Sequence, residues 1–250
     1  MGASEQEGFA YRFDWGVAGA RGLAPGAGAV VVVDVLSFST CVDVAVAAGA
    51  EVVPAAGHDD DTAELARRRG SVVAARIRSL AAPSLSPSSL RRLTPGTRLV
   101  LPSPNGAAVA LAAAGATAGP VFAACFRNAR AVAEAARRAA GTAPVVVLAA
   151  GERWPDESLR AAVEDQLAAG AILAALDPAA AASGVRCSPE AGAARAAFVA
   201  ARPRLAEVLR ECASARQLAE QGFASDVELA LALDVSPLAP RLERGAFVLG

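Results

Sequence analysis

The chain has 250 residues, 24 basic and 25 acidic, with a formal net charge of −1 and 54% hydrophobic residues. That balance supplies no basic field for a polyanion, which argues against nucleic acid as a partner. No window carries the 18 or more strongly apolar residues that a membrane span requires, so a soluble protein is expected. All 24 basic residues are Arg. Cys41, Cys125, Cys187 and Cys212 are widely spaced with no C-x-x-C pair, against zinc sites and disulfide frameworks. Glu5 and Glu7 stand where a secretory signal would want positive charge, and a cytoplasmic location is expected.

In chain order, residues 9–15 alternate apolar and polar side chains and predict a first strand, and 16–28 reads as a Gly- and Ala-rich connection. Residues 29–35 (AVVVVDV) form a β-branched run suited to a strand covered on both faces. Ser37, Phe38, Ser39 and Thr40 then lead into a helix over 41–48, which Gly49 ends. Short strands are predicted over 51–55 and 71–74 with a helix over 62–69 between them, and the Pro- and Ser-rich stretch 83–89 reads as a mobile loop. The unit of apolar strand, polar turn and Ala-rich helix recurs: strand 98–101 with a helix to 114, strand 121–125 with a helix to 140, and strand 145–150 with a helix over 158–176. A connection over 177–189 precedes a mostly helical remainder, 190–212 and 213–220. Strand alternating with helix predicts one domain over 1–250, a three-layer α/β/α arrangement with a mostly parallel or mixed sheet.

In such sheets ligands bind beyond the carboxyl ends of strands, where helix N-termini present unpaired N–H groups. That rule selects Ser37, Ser39 and Thr40 at one helix start, Ser103, Asn105 and Gly106 at a second, and Arg127 with Asn128 at a third. One helix end contributes only about 0.3–1 kcal/mol per charge, so an anion needs several to converge, helped by Arg or a metal. The same residue types are also ordinary helix caps. Asp34 ends a Val-rich strand, where a carboxylate is poorly solvated without a partner; a metal ion or cationic ligand is one candidate, and a backbone cap is the other.

Glu164 and Asp165 stand side by side on the predicted helix, beside an apolar stripe of Leu159, Val163, Leu167 and Ala171. An inward role for Glu164 is feasible there, although the pattern favours a solvated acidic face. His58, the single histidine, lies in a Gly-His-Asp-Asp-Asp run that reads as a surface loop capping the next helix, suited at most to weak divalent binding by Asp59, Asp60 and Asp61. There is no Lys for a P-loop, no G-x-S-x-G elbow, and no partner histidine for a Ser or Cys nucleophile. Metal-assisted chemistry survives that filter.

Five segments occur in an order that resembles the 2-phosphosulfolactate phosphatases, the ComB family of magnesium-dependent acid phosphatases: VVVDVLSFSTCVDVAV from Val31, LPSPNGAAVA from Leu101, ACFRNARAVA from Ala124, AAGERWPDESLRAAVEDQLAAGAIL from Ala149 and GFASDVELALALD from Gly222. The resemblance covers most of residues 9–250. It departs where the family commonly has Arg after Asp-Val-Leu, since Ser37 stands there, and where the family's Asn-Ser-Pro loop is blurred to Leu85-Ser86-Pro87-Ser88. Arg127, Arg78 or Arg153 is available to replace that charge. The resemblance implies Mg²⁺-dependent hydrolysis of the phosphate monoester of a small, doubly anionic acid, and leaves room for a homodimer. It implies Mg²⁺ on Asp34, Glu164 and Asp165, with Asp226 as a further ligand or supporting group, and Asp34 as the catalytic residue. Ser37, Ser39, Thr40, Ser103, Asn105, Gly106, Arg127 and Asn128 would then surround the substrate anion. Attack by water is favoured over an aspartyl-phosphate, because Asp34-Val35-Leu36 lacks the second acid of a D-x-D motif. Two alternatives stand beside this: a non-catalytic binder of a small organic acid or phosphorylated metabolite, and a phosphatase acting on another small phospho-acid.

Overall fold

The computed structural model describes residues 6–57, 60–178 and 186–250. Strand and helix alternate from the start: β1 (Tyr11–Trp15), α1 (Gly16–Leu23), β2 (Ala29–Val33), α2 (Phe38–Ala47), β3 (Glu51–Ala55), α3 (Asp60–Arg69) and β4 (Val72–Val73). The middle of the chain adds α4 (Pro87–Leu90), β5 (Arg98–Pro102), α5 (Gly106–Ala116), β6 (Val121–Ala124), α6 (Ala129–Ala140) and β7 (Val145–Ala149). A small hairpin of β8 (Glu152–Arg153) and β9 (Leu159–Arg160) precedes α7 (Val163–Leu176). The C-terminal part holds α8 (Pro189–Ala201), α9 (Leu205–Glu211), α10 (Ala213–Glu220), α11 (Ala224–Ala230), β10 (Arg241–Glu243) and β11 (Ala246–Val248).

The main sheet has nine strands in the order β1-β7-β2-β6-β10-β11-β3-β5-β4. β1, β7, β2 and β6 pair in parallel, as do β3, β5 and β4, and the antiparallel hairpin β10-β11 joins the two blocks. This is a mixed sheet with helices on both faces, a three-layer α/β/α fold. The five buried residues of β2 show why an unbroken apolar run was needed: successive side chains of a strand point to opposite faces. Val31 and Val33 pack with Val132 of α6, Ile172 of α7 and Phe198 of α8, whereas Val30 and Val32 pack with Phe38 and Val42 of α2 and Ala110 of α5.

Four expectations are corrected. The stretch after β1 contains a helix, α1; its Gly19 is there for close approach, because a Cβ would sit 2.8 Å from the Asp14 Cβ. The helix predicted from 158 begins only at Val163, and its supposed stripe residues Leu159 and Val163 are 47% and 41% exposed. Residues 83–89 are fastened rather than loose: Ser84 and Ser86 are fully buried, and α4 begins within the stretch. The mostly helical C-terminal part also holds two strands that were not expected: β10 and β11 complete the sheet through Arg244 and Gly245, whose φ of 49° and 80° meet the requirement of a type I′ turn. His58 and Asp59 lie outside the described residues. Among the described residues no helix is long and apolar enough to cross a membrane, and all four cysteines are free thiols.

Candidate active site

The first residue past β2 decides the geometry. Asp34 is 6% exposed, and its two carboxylate oxygens accept from different helix starts: Oδ1 from the Phe38 N–H of α2 at 3.0 Å and Oδ2 from the Gly106 N–H of α5 at 2.9 Å. The second bond spans four intervening strands of the sheet, so the start of α5 is folded back over the end of β2. Gly106 permits this approach. A Cβ there would collide with Asp34 Oδ2 and lie 2.7 Å from Phe38 Cβ.

Asp165, on the first turn of α7, makes a matching brace. Its Oδ1 accepts from the Val35 N–H at 2.8 Å and its Oδ2 from the Gly151 N–H at 2.9 Å, tying the end of β2 to the end of β7. Glu164 is buried beside it, contrary to the solvated face favoured by the pattern, because α7 starts later and turns its first acids inward. Glu152 completes the group from β8; its Oε2 accepts from Asn105 Nδ2 at 2.9 Å. Sequence reasoning passed over Glu152. The signal resembled the one that marked Asp34: a carboxylate shortly past an apolar strand, here β7, with Ala150 and Gly151 between.

Four carboxylates thus share one corner, three of them buried and Glu152 at its edge. Burial pushes the Asp34 carboxyl up to about 7, with Glu152 adding to the rise and the Phe38 and Gly106 N–H groups opposing it. Burial, then Asp34 and Glu164, hold Asp165 well above the usual range, and burial with Glu164 raises Glu152. The Cys212 thiol, buried and hydrogen-bonded to Glu164, is pushed up to about 12. Ionising all four would gather more negative charge than the surroundings neutralise, a setting that suits a cation.

The predicted anion-binding residues divide. Ser37 Oγ accepts from Arg78 Nη2 at 3.0 Å, and Asn105 stands between Glu152 and Arg153, whose Nε donates to Asn105 Oδ1 at 3.2 Å. Gly106 contributes its N–H to Asp34, and Ser103 is buried at the end of β5. Ser39 and Thr40 spend their hydroxyls inward, on the Val32 carbonyl at 3.1 Å and the Val35 carbonyl at 2.7 Å, and brace the turn. Asn128 is fully buried and caps its own turn, accepting from the Cys125 N–H and donating to the Ala123 carbonyl. Arg127 is drawn away to buried Asp43 at 2.8 Å and to the Leu229 carbonyl at 3.2 Å. The third turn therefore does not join the cradle. Of the three replacement arginines, Arg78 is the one that reaches Ser37, and its partner is Asp226 at 3.0 Å, so Asp226 serves a guanidinium rather than the carboxylate corner.

Beside the corner a cavity of about 160 Å³ opens between Trp15, Pro104, Asn105, Glu152, Arg153 and Leu159. The family model of the 2-phosphosulpholactate phosphatases matches residues 22–245. The chain belongs to that family. The matched range takes in every carboxylate of the corner together with Arg78 and Asp226. No curated protein matches the chain.

As donors, these carboxylates are the hard oxygens that Mg²⁺ takes. Among the described residues no three His, Cys, Asp or Glu side chains are gathered closely enough to ligate one ion together. Mg²⁺ asks for less than that, since it is commonly held by one or two carboxylates with water and phosphate oxygens filling the rest.

Proposed function

We propose that this chain is a Mg²⁺-dependent phosphatase that hydrolyses the phosphate monoester of a small anionic acid of the 2-phosphosulfolactate kind, giving the hydroxy acid and phosphate. Family membership together with the carboxylate corner around Asp34 carries this reading. Asp34, Glu164 and Asp165 are the carboxylates that would hold Mg²⁺, no more than two at once in the arrangement seen, and Glu152 adds its charge beside them. Bound there, Mg²⁺ supplies Lewis-acid stabilisation of charge on the phosphoryl oxygens.

The chain's own groups do the positioning. Monoester hydrolysis requires acceleration approaching roughly 10²¹-fold, most of which has to come from fixed charges and dipoles. The N-termini of α2 and α5 meet at Asp34 and hold its carboxylate in one orientation through two backbone N–H groups. Because each oxygen already accepts a bond, Asp34 is better placed to orient a water than to attack phosphorus, and we assign the attack to water. Asn105, between Glu152 and Arg153, brings the α5 turn to the mouth of the neighbouring cavity.

A panel of phosphorylated hydroxy acids, assayed for phosphate release with Mg²⁺ and with EDTA, tests the reading. Release from 2-phosphosulfolactate that EDTA abolishes is expected. Release only from another ester, such as phosphoglycolate or phosphoglycerate, would move the substrate; no release from any would favour a binding protein.

A further inference from the structure

The turn between Asp34 and α2 brings no cation of its own, for residues 35–40 are Val, Leu, Ser, Phe, Ser and Thr. Four carboxylates lie beside it, so a substrate carrying two negative charges meets repulsion that a single bound ion offsets only in part. A guanidinium is delivered from elsewhere in the chain. Arg78 donates from Nη2 to Ser37 Oγ and from Nη1 to Asp226 Oδ2, both at 3.0 Å.

Its seating is elaborate for a loop residue. Asp226 is 0% exposed, and its other oxygen accepts from Ser86 Oγ at 2.9 Å and from the Ser88 N–H at 3.1 Å. The Phe223 ring lies 5.5 Å below the guanidinium carbon. The Arg78 side chain itself keeps 16% exposure, so the anchor is sealed while the cation retains an open edge. Only two of its five N–H donors are committed to these side chains, and a guanidinium presents the rest in a fixed fork suited to oxyanions. Arg127 is otherwise engaged: it also has a fully buried aspartate, but its second contact is a backbone carbonyl on α11, away from Asp34.

We propose that Arg78 is a specificity-determining residue of this site: it binds a tetrahedral oxyanion of the substrate over the turn that follows Asp34, and Asp226 is its positioning residue. The identity of the ester rests on the phosphatase reading; oxyanion binding does not, and can be measured without turnover.

Inorganic phosphate titrated calorimetrically into the wild type, Arg78→Gln and the double variant R78A/S37R tests the idea, with thermal unfolding run alongside. Gln keeps a donor for Asp226 and loses the charge, and binding is expected to weaken roughly ten- to a hundredfold. The double variant moves the guanidinium to position 37, into the space that Arg78 vacates, and is expected to recover most of the affinity. Unchanged binding in Arg78→Gln overturns the proposal. So does a loss that the relocated guanidinium fails to restore, since Arg78 would then serve only structure. If Arg78→Gln does not fold, the double variant decides alone, or Arg78→Lys in its place, which keeps the ion pair. Kinetics then separate the oxyanions: a rise in KM confined to 2-phosphosulfolactate assigns Arg78 to the sulfonate, and a rise shared with phosphoglycolate assigns it to the phosphate. A wild type that binds phosphate yet hydrolyses no ester would defeat the phosphatase reading and leave Arg78 in place.

Discussion

The turns after β2 and β6 lie on neighbouring parallel strands, and they dispose of their polar and charged groups differently. After β6, Asn128 bonds backbone groups three and five residues away, and Arg127 beside it is paired with Asp43, 84 residues away. After β2, the bonds reach 72 residues along the chain to Gly106, 130 to Asp165 and 41 to Arg78. A turn whose asparagine is satisfied locally and whose one charge is already paired is a cap. One whose partners come from three distant segments gathers charge in one place, and the raised Asp34, Asp165 and Glu152 carboxyls mark where. The comparison teaches that strand-end position alone does not make a site.

Substitutions at the two turns should therefore separate activity from stability. The largest effect is expected for Asp34→Asn, a loss of roughly 10³-fold or more in Mg²⁺-dependent kcat/KM, measured by phosphate release. Next, Gly106→Ala drives a Cβ onto Asp34 and Phe38; about 1–3 kcal/mol of stability should be lost in denaturant unfolding, with turnover falling as the Asp34 carboxylate is displaced. At the other turn, Asn128→Ala leaves the buried Cys125 N–H without its acceptor and should cost about 1–3 kcal/mol while kcat stays within about twofold. An Asn128 variant that folds normally and loses turnover would erase the distinction between the turns.

The last effect is on pH. In the metal-free protein the native Asp34 keeps its proton to about 7, whereas the unfolded chain releases it near 3.8. Between those values the native state binds more protons, so stability is full below about 3.8 and falls as pH rises to about 7, by at most roughly 1.4 kcal/mol per pH unit for one proton. Asp165 and Glu152 are raised too and act in the same direction. Urea midpoints taken across that range should fall for the wild type and fall less steeply for Asp34→Asn.

Much of the fold was legible because β2, β5, β6 and β7 are apolar runs punctuated by turn residues, and the strand Glu51–Ala55 was read with its exact bounds. What escaped depended on contacts between distant residues. α1 was hidden because its glycines read as a flexible connection, although Gly19 answers to packing against Asp14. The β10-β11 hairpin has three residues per strand, and an Arg at a positive-φ turn position carries no hairpin signature. At the site, Asp34 was legible from its awkward place after four valines. Ser39, Thr40 and Asn128 looked the same in sequence as Ser37 and Asn105; only the direction of their hydrogen bonds tells brace from cradle. Glu152 was visible in principle, two residues past the end of the strand read over 145–150, but its turn carried none of the Ser, Thr or Asn caps that marked the other three.

The most direct test is a calorimetric titration of Mg²⁺, in the presence of inorganic phosphate, into the wild type, Asn128→Ala and Asp34→Asn. Binding by the wild type and by Asn128→Ala with none by Asp34→Asn is the expected result. Equal Mg²⁺ binding by Asp34→Asn and the wild type would contradict the assignment of the β2 turn as the working end of the sheet.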